Sequence, residues 1–227
     1  MSTLFIVATP IGNLQDFSPR AVEILQSVDY IACEDTRTSS KLLHAFQINK
    51  PTFSFHQHNE HRKVTHVMNI LDAGQNIALI SDAGMPGISD PGFLAIRAAQ
   101  QGEHRVTVIP GPDAATTAVV ASGLPCDRYV FEGFLPHKKG RQKRLGELSE
   151  EERTIIIYES PNRILKLLGE IEKHFGEDRL AAVARELTKK FEEVVRDTVS
   201  ELKNEFENRD SIKGEIVIVI AGKGYSE

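Results

Sequence analysis

Three loops rich in glycine and proline hold the residue types in this sequence that are best suited to contact a small ligand. They are 8–14 (ATPIGNL), 81–92 (SDAGMPGISDPG) and 110–117 (PGPDAATT). Glycine lets the backbone approach a ligand closely, and long structured loops in compact domains usually have a function. Loop 81–92 therefore predicts a ligand site, whereas each of the other two fits a tight turn or a packing surface equally well.

Individual residues in these loops limit which ligand groups each loop can contact. The first loop lacks two of the three glycines of the dinucleotide fingerprint, and Pro10 removes a backbone donor, so a pyrophosphate site is not expected there. Asp82 can accept from an amino or hydroxyl group, and we expect Asp90 to be only a helix cap. The helix start after loop 110–117 has free N–H groups that suit a carboxylate or a ribose oxygen.

A basic run at 137–144 (HKKGRQKR) stands out in a chain whose net charge is −5. Five of its eight residues are lysine or arginine, and its glycine suggests a flexible loop. Such a loop can contact a phosphate backbone, although a solvated loop is the common alternative. The residues predicted to make such phosphate contacts are Lys138, Lys139, Arg141, Lys143 and Arg144.

Histidines 56, 58 and 61 form the remaining cluster, but their spacing fits no standard zinc pattern, so no metal site is predicted. Residues 58–60 (HNE) are instead expected to cap a helix. Asn59 precedes a segment with apolar residues at i, i+3, i+4 and i+7, which predicts a helix capped by Asn59 and ended by Gly74.

The elements that must carry these loops alternate between strands and helices in the first half. Apolar runs predict strands at 3–8, 30–33, 52–55, 76–80 and 105–109, with helices opening at 18–19, at 59 and at 90–91. This alternation predicts a parallel sheet with helices on both faces, and ligands in such sheets bind beyond the carboxyl ends of the strands.

The pattern changes after residue 125. Strands are predicted at 129–134, 154–158, 180–185, 191–195 and 215–221, with helices opening at 160–161 and spanning 199–208. Strands that follow one another without a long helix indicate a mixed sheet. The boundary falls near 112–125, which gives an N-terminal Rossmann-like α/β domain at 1–115 and a C-terminal α/β domain with a mixed sheet at 116–227.

Composition limits the class of protein. The chain has 227 residues, 41% of them hydrophobic, which is enough for a real core. No apolar run is long enough for a membrane span, and no leader peptide is evident. The two cysteines, Cys33 and Cys126, form no metal-type pair and are predicted to be buried thiols in a reducing compartment. We therefore expect a cytoplasmic protein.

The chain resembles the tetrapyrrole-methylase superfamily, and more narrowly its branch of bacterial 16S rRNA cytidine 2′-O-methyltransferases. Matching stretches cover nearly the whole chain and are specific in combination. They are TPIGNL (9–14), EDTR (34–37), HNE (58–60), SDAGMPGISDPG (81–92), PGP-AA (110–115), EGFLP (132–136), YESPNR (158–163), ARELTKKFEE (184–193) and KGEIVIVI (213–220).

The resemblance implies a homodimer that binds S-adenosylmethionine (SAM) in a cleft between two α/β domains and acts on 16S rRNA or the small ribosomal subunit. It also favours RNA as the partner of the basic run at 137–144, and it makes residues 58–60 candidates for positioning RNA. The cofactor-binding residues that it implies are Pro10, Ile11, Asp82, Ala83, Met85, Ala114, Ala115, Tyr158, Glu159 and Gly214.

A ribose hydroxyl is a weak nucleophile, so a methyltransferase of this kind needs a group that activates the acceptor. The catalytic candidates are Asp35, Arg37 and Glu186, with Glu34 and Lys189 beside them. Asp35 and Arg37 are equally consistent with an ion pair at a helix start. Two other functions stay open: a methyltransferase for a tetrapyrrole or another small molecule, and a non-catalytic nucleotide-binding module.

Overall fold

The structure is a computed structural model that describes residues 2–226, and its chain contacts divide it into two compact units, Met1–Asp113 and Ala114–Glu227. Strands and helices alternate through the first unit. They are β1 (Thr3–Val7), α1 (Pro19–Ser27), β2 (Tyr30–Cys33), α2 (Thr36–Ala45), β3 (Thr52–Ser54), α3 (Glu60–Asp72), β4 (Ile77–Ile80), α4 (Phe93–Gln101) and β5 (Arg105–Ile109). A short 3₁₀ turn, Leu14–Asp16, follows β1.

The sheet of the first unit is wholly parallel, with the strand order β3-β2-β4-β1-β5. Central strand β4 is buried at every residue, whereas edge strands β3 and β5 are more exposed. One apolar layer includes α1 and α2, and a second layer includes α3 and α4. The prediction of a parallel sheet with helices on both faces is therefore confirmed.

Two of the predicted helix caps are wrong. Asn59 occupies the position before α3, but its side chain accepts from the backbone N–H of His56 (2.9 Å) and makes no cap bond. Gly92, not Asp90, precedes α4. The first N–H groups of α4 are satisfied by Glu60 Oε1, which accepts from Gly92 (3.0 Å) and Leu94 (3.2 Å). The side chain of Glu60, which is distant in sequence, therefore caps α4.

The second unit begins with a helix and continues with mostly consecutive strands. Its elements are α5 (Ala114–Ala121), β6 (Tyr129–Phe134), α6 (Arg141–Ser149), β7 (Thr154–Glu159), α7 (Ile164–Phe175), β8 (Leu180–Arg185), β9 (Glu193–Thr198), α8 (Val199–Glu207) and β10 (Ile216–Ile220).

The second sheet has the order β6-β7-β10-β8-β9 and is mixed, as predicted, because only β6 and β7 pair in parallel. One face of this sheet forms the main apolar core together with α6, α7 and α8. Helix α5 packs against β10, and its buried residues lie outside that core, so α5 covers the other face.

Three predictions about the basic run, the start of α7 and the cysteines need correction. The basic run is not a loop throughout, because α6 begins at Arg141. Helix α7 begins at Ile164, after a turn in which Arg163 N–H donates to Ser160 O, and not at residues 160–161. Cys33 is buried as predicted, but Cys126 is exposed.

No helix within residues 2–226 combines the length and apolar character that crossing a bilayer requires.

Candidate functional site

The three loops rich in glycine and proline meet in the first unit, because β4, β1 and β5 are neighbours in the sheet. The carboxyl ends of parallel strands lie at one edge, so the loops that follow them are brought together. A Cβ placed on Gly84 would lie 3.5 Å from Ile11 Cγ2 and 3.9 Å from the carbonyl oxygen of Pro112. One residue from each loop therefore borders the same point.

Backbone hydrogen bonds fix two of these loops to each other. The N–H of Thr9 donates to Gly84 O (2.9 Å), and the N–H of Gly84 donates to Thr9 O (3.1 Å). Thr9 is fully buried, and its hydroxyl donates to Ser81 O (3.2 Å). Gly84 has φ +79°, a left-handed conformation that side chains disfavour. This pairing gives the loop after β4 a defined shape beside Pro10 and Ile11.

The third loop approaches the first at a second glycine. A Cβ on Gly111 would lie 2.9 Å from the Cβ of Ala8, closer than real side chains pack. Pro10 and Ile11 are buried, Met85 packs at the edge of the apolar layer below, and Ala83 is exposed. The predicted cofactor residues of the first unit therefore surround one loop junction.

Carboxylates gather at the ends of β2 and β4. The N–H of Asp82 donates to Glu34 Oε2 (3.3 Å), and the N–H of Asp35 donates to Asp82 Oδ1 (3.2 Å). Asp90 joins the group through a hydrogen bond with Ser81. Side chains from two neighbouring strands thus create an acidic surface beside the loop junction.

Three members of this cluster hold protons more strongly than free carboxylic acids. Desolvation raises the pKa of Asp90 to about 7, and the charges of Glu34 and Asp82 add to the increase. Desolvation also raises the pKa of Glu34 and the pKa of Asp82. A carboxylate with a pKa close to neutrality is suited to accept a proton in a reaction.

Asp35 and Arg37 form the ion pair that the sequence left open. Asp35 caps α2 by accepting from the N–H of Arg37 (2.9 Å), and it also accepts from Arg37 Nη2 (2.9 Å). These hydrogen bonds lower the pKa of Asp35 to about 2. Asp35 is therefore a weak base, whereas the Arg37 side chain is 90% exposed.

Two further predicted residues, Glu186 and Gly214, lie side by side in the second unit. Gly214 has φ +94°, and a Cβ there would lie 2.4 Å from the Glu186 side chain. Glu186 Oε1 accepts from Lys189 Nζ (2.8 Å) and from the N–H of Glu215 (3.0 Å). The hydrogen bond from Lys189 lowers the pKa of Glu186, which makes this carboxylate a weaker base than a free glutamate.

Glu159 is the centre of a buried charge network. It is 3% exposed. Its Oε1 accepts from Arg163 Nε (2.6 Å) and from Ser160 N–H (2.8 Å), and its Oε2 accepts from Arg141 Nη2 (3.3 Å). Arg141 also donates to Glu170 (2.7 Å). Both oxygens of Glu159 thus have partners within the protein, and its role in cofactor binding stays a prediction.

Tyr158 precedes Glu159 and lies among aromatic side chains on β6 and β7. Its ring centroid is 5.0 Å from that of Phe131 and 5.6 Å from that of Phe134, both in edge-to-face geometry. Ala114 and Ala115 form the first turn of α5, and Ala115 is buried.

The basic run divides into free and paired cations. Lys138 and Lys139 are exposed and precede α6. Lys143 is exposed on the first turn of α6, with its Nζ 3.8 Å from Glu147 Oε1. Arg144 is paired with Glu132 (2.6 Å) and Glu147 (3.0 Å), and the Arg141 side chain is only 4% exposed. The cations accessible to a partner are therefore fewer than the composition of the run indicates.

Within residues 2–226, no group of three or more histidine, cysteine, aspartate or glutamate side chains is arranged to hold a metal ion. His56 and His58 are neighbours, with ring centroids 6.0 Å apart.

Sequence reasoning missed the roles of three residues. Asp90 was assigned to a cap, and Phe131 and Phe134 were given no role. The run EGFLP was visible in the sequence, but its aromatic contacts depend on pairing with β7.

Comparisons with known proteins identify the family. The sequence pattern of the tetrapyrrole (corrin/porphyrin) methylases matches residues 3–203. A relative from Pasteurella multocida named ribosomal RNA small subunit methyltransferase I is 52% identical over 97% of this chain and 79% of its own length. A relative with the same name from Synechocystis sp. is 50% identical over 98% of this chain and 80% of its own length. Another from Thermotoga maritima is 43% identical over 98% of this chain and 100% of its own length.

Solved structures support the fold. Uroporphyrin-III-C-methyltransferase from Thermus thermophilus matches with a TM-score of 0.65 at 16% identity, covering 96% of this chain and 94% of that structure. A cobalt precorrin-4 methyltransferase from cobalamin biosynthesis matches with a TM-score of 0.67 at 16% identity, covering 97% and 94%. The chain belongs to the tetrapyrrole methylase family and, within it, to the methyltransferases related to ribosomal RNA small subunit methyltransferase I.

Proposed function

We propose that this protein transfers a methyl group from SAM to the ribose 2′-oxygen of a cytidine in 16S rRNA of the small ribosomal subunit. The observation that carries the proposal is the 52% and 50% identity, over 97% and 98% of the chain, to relatives named for that subunit's RNA. The structural likeness to porphyrin and corrin methyltransferases is at 16% identity and supports the fold alone.

The loop junction of the first unit fits the cofactor. Gly84 and Gly111 let the three loops pack closely into one junction, because a Cβ would lie 3.5 Å from Ile11 at Gly84 and 2.9 Å from Ala8 at Gly111. The carboxylates of Asp82 and Glu34 are complementary to the positive charges of SAM. The cofactor residues proposed in the first unit are Pro10, Ile11, Asp82, Ala83 and Met85, and those proposed in the second unit are Ala114, Ala115, Tyr158, Glu159 and Gly214.

When bound, SAM supplies an electrophilic methyl group. The protein has to hold the ribose hydroxyl in line with that methyl and accept the hydroxyl proton. Among the described carboxylates beside the loop junction, Asp90, Glu34 and Asp82 have the raised pKa values that suit this second task. Asp35, with a pKa near 2, and Glu186, whose pKa is lowered by Lys189, are better assigned to holding nearby groups in place.

Phosphate contacts are proposed for Lys138, Lys139 and Lys143, which are exposed on and before the first turn of α6. Lysine and arginine contacts to phosphates dominate the affinity of proteins for nucleic acids and make it salt-dependent. Arg141 is excluded from this set because its guanidinium is buried in ion pairs with Glu159 and Glu170.

The test is methyl transfer to purified small ribosomal subunits that lack the modification. With labelled SAM, we expect label in 16S rRNA and 2′-O-methylcytidine after nuclease digestion and mass spectrometry. Porphyrin precursors in the same assay are the control for small-molecule methylation. Label in those precursors and none in the RNA would overturn the proposal, and so would label on a base or on another nucleoside.

The residue assignments need separate measurements. Asp90→Asn is expected to lower kcat at neutral pH while leaving SAM affinity within a few-fold, because a proton acceptor is lost but the shape is kept. Calorimetry with SAM, NAD and ATP separates an enzyme from a nucleotide-binding module. The homodimer and the cytoplasmic location stay predictions, which light scattering and cell fractionation would test.

A further inference from the structure

An irregularity in β6 brings three aromatic rings onto one face of the second sheet. Phe131 pairs with Ile156, but Gly133 pairs with Ile157 and Phe134 with Tyr158, so one extra residue is inserted between Phe131 and Gly133. In a regular strand, positions three apart face opposite sides. The β-bulge shifts the alternation by one residue, and Phe134 therefore shares a face with Phe131 and Tyr158.

This aromatic group is not part of the main core. Ile155 and Ile157, which alternate with the Tyr158 side of β7, belong to the core under α6, α7 and α8. Phe134 is 55% exposed, although its edge-to-face contact with Tyr158 holds the ring in place. The bulge therefore leaves a phenyl face accessible to a planar ligand at a defined position.

The chain continues from Phe134 directly into a basic turn, residues 136–140. Lys138 and Lys139 are exposed, and within the described chain neither ammonium group has a hydrogen-bond or ion-pair partner. Lys138 is the fourth residue after Phe134, which gives a span of at most about 14 Å between them. An oligonucleotide is long enough to touch both.

Two arginines hold the basic turn in a fixed position. Arg141 Nη1 donates to Pro136 O (3.3 Å), and Arg163 Nη1 lies 2.8 Å from His137 Nδ1. Both guanidinium groups are tied to the buried carboxylate of Glu159. The turn that carries the two free lysines is therefore anchored to the end of β7, next to the aromatic group.

We propose that Phe134 and the basic turn form a binding site for an unpaired RNA nucleotide, with the base stacked on the Phe134 ring and adjacent phosphates on Lys138 and Lys139. The inference rests on the proposed function for its choice of RNA. Exposed aromatic rings beside cations are how proteins bind single strands, because every base has a stacking face, whereas bases within a duplex are not accessible for stacking.

The test is the affinity of the full chain for a short fluorescein-labelled single-stranded RNA and for a duplex of the same sequence, measured by fluorescence anisotropy. Phe134→Ala is expected to weaken single-strand binding about 5- to 150-fold. Phe134→Trp should retain it. The matched control is Phe191→Ala, which removes a phenylalanine that is 64% exposed and lies beside Lys190.

Salt dependence separates stacking from phosphate contacts. In a plot of log affinity against log salt, the slope is negative, and each phosphate contact to a single strand contributes about 0.7 to its magnitude. The double variant Lys138→Glu, Lys139→Glu should therefore make the slope shallower by about 1.4. Phe134→Ala should leave that slope unchanged. Lys166→Glu with Lys173→Glu makes the same change in net charge on α7 and is expected to leave the slope unchanged.

Phe134→Ala that binds as tightly as Phe191→Ala would overturn the inference, and so would equal weakening of single-strand and duplex binding. If that variant also methylates small subunits normally, the proposed function stands without this site. If the wild-type chain neither binds the single strand nor methylates rRNA, both proposals fail. Circular dichroism of each variant shows whether the fold is kept.

Discussion

Replacing Asp90 by asparagine should change how the stability of the protein depends on pH. Asparagine has nearly the same size and can keep a hydrogen bond to Ser81, but it cannot ionise. In the folded protein, desolvation and the neighbouring Glu34 charge raise the pKa of Asp90 from 3.8 to about 7. The ionised form is therefore the unfavourable one in the folded state.

The sign follows from proton counting. Between pH of about 4 and 7, Asp90 is protonated when folded and ionised when unfolded, so unfolding releases a proton. The free energy of unfolding therefore falls as pH rises through this window. From pH 5 to pH 7 one proton corresponds to about 2.7 kcal/mol. Because the side chain is partly exposed, we expect about half of that, ~1 to 2 kcal/mol.

Urea unfolding at several pH values between about 5 and 8 measures the effect. The stability of Asp90→Asn relative to the wild type should increase with pH across this range, since the variant lacks the titrating group. Asp210→Asn, at an exposed aspartate, is the control and should run parallel to the wild type. If the Asp90→Asn and wild-type curves are also parallel, the raised pKa of Asp90 is refuted.

Three other predictions concern stability and reactivity. Glu159→Ala should lower the free energy of unfolding by about 3 kcal/mol in urea, because it removes one of the two carboxylates that pair with the buried guanidinium of Arg141; no loss would contradict the buried network. Gly222→Ala should strongly destabilise the protein, since the new Cβ would lie 1.8 Å from a backbone oxygen. Gly169→Ala is the contrasting variant. Gly169 lies inside α7 with no atom within 4 Å of a Cβ, so alanine there should raise the free energy of unfolding by about 0.5 to 1 kcal/mol. Exposed Cys126 should react with a thiol reagent in the native protein. Cys33 should react only after unfolding, because burial raises the pKa of its thiol to about 11. Reaction of both thiols with the reagent in the native protein would contradict this.

Much of the fold was predictable from local sequence patterns. Strands such as Tyr30–Cys33 and Arg105–Ile109 were predicted with their observed bounds, because short apolar runs between turn residues have few other interpretations. Helix α2 was not predicted as an element. Its sequence, TRTSSKLLHA, is polar over its first six residues, and only Ser39 and Leu43 are buried.

The candidate site was predictable at the level of loops and not of side-chain roles. Loops that follow neighbouring parallel strands must meet, so the junction at Ile11, Gly84 and Pro112 follows from the strand pattern once the strand order is known. The state of each carboxylate does not follow in this way. Asp35 and Asp90 are the same residue type, yet one has a pKa of about 2 and the other of about 7.

The sequence by itself determined the alternation of strands and helices, the parallel and mixed sheets, the position of the ligand loops and the family, because these depend on residue spacing along the chain. Only the tertiary structure decided that Arg141 is buried rather than free for RNA, that Glu60 caps α4, and that a bulge places Phe134 beside Tyr158. Each of these depends on a partner distant in sequence, and burial and electrostatic contacts are set by such partners rather than by neighbours along the chain.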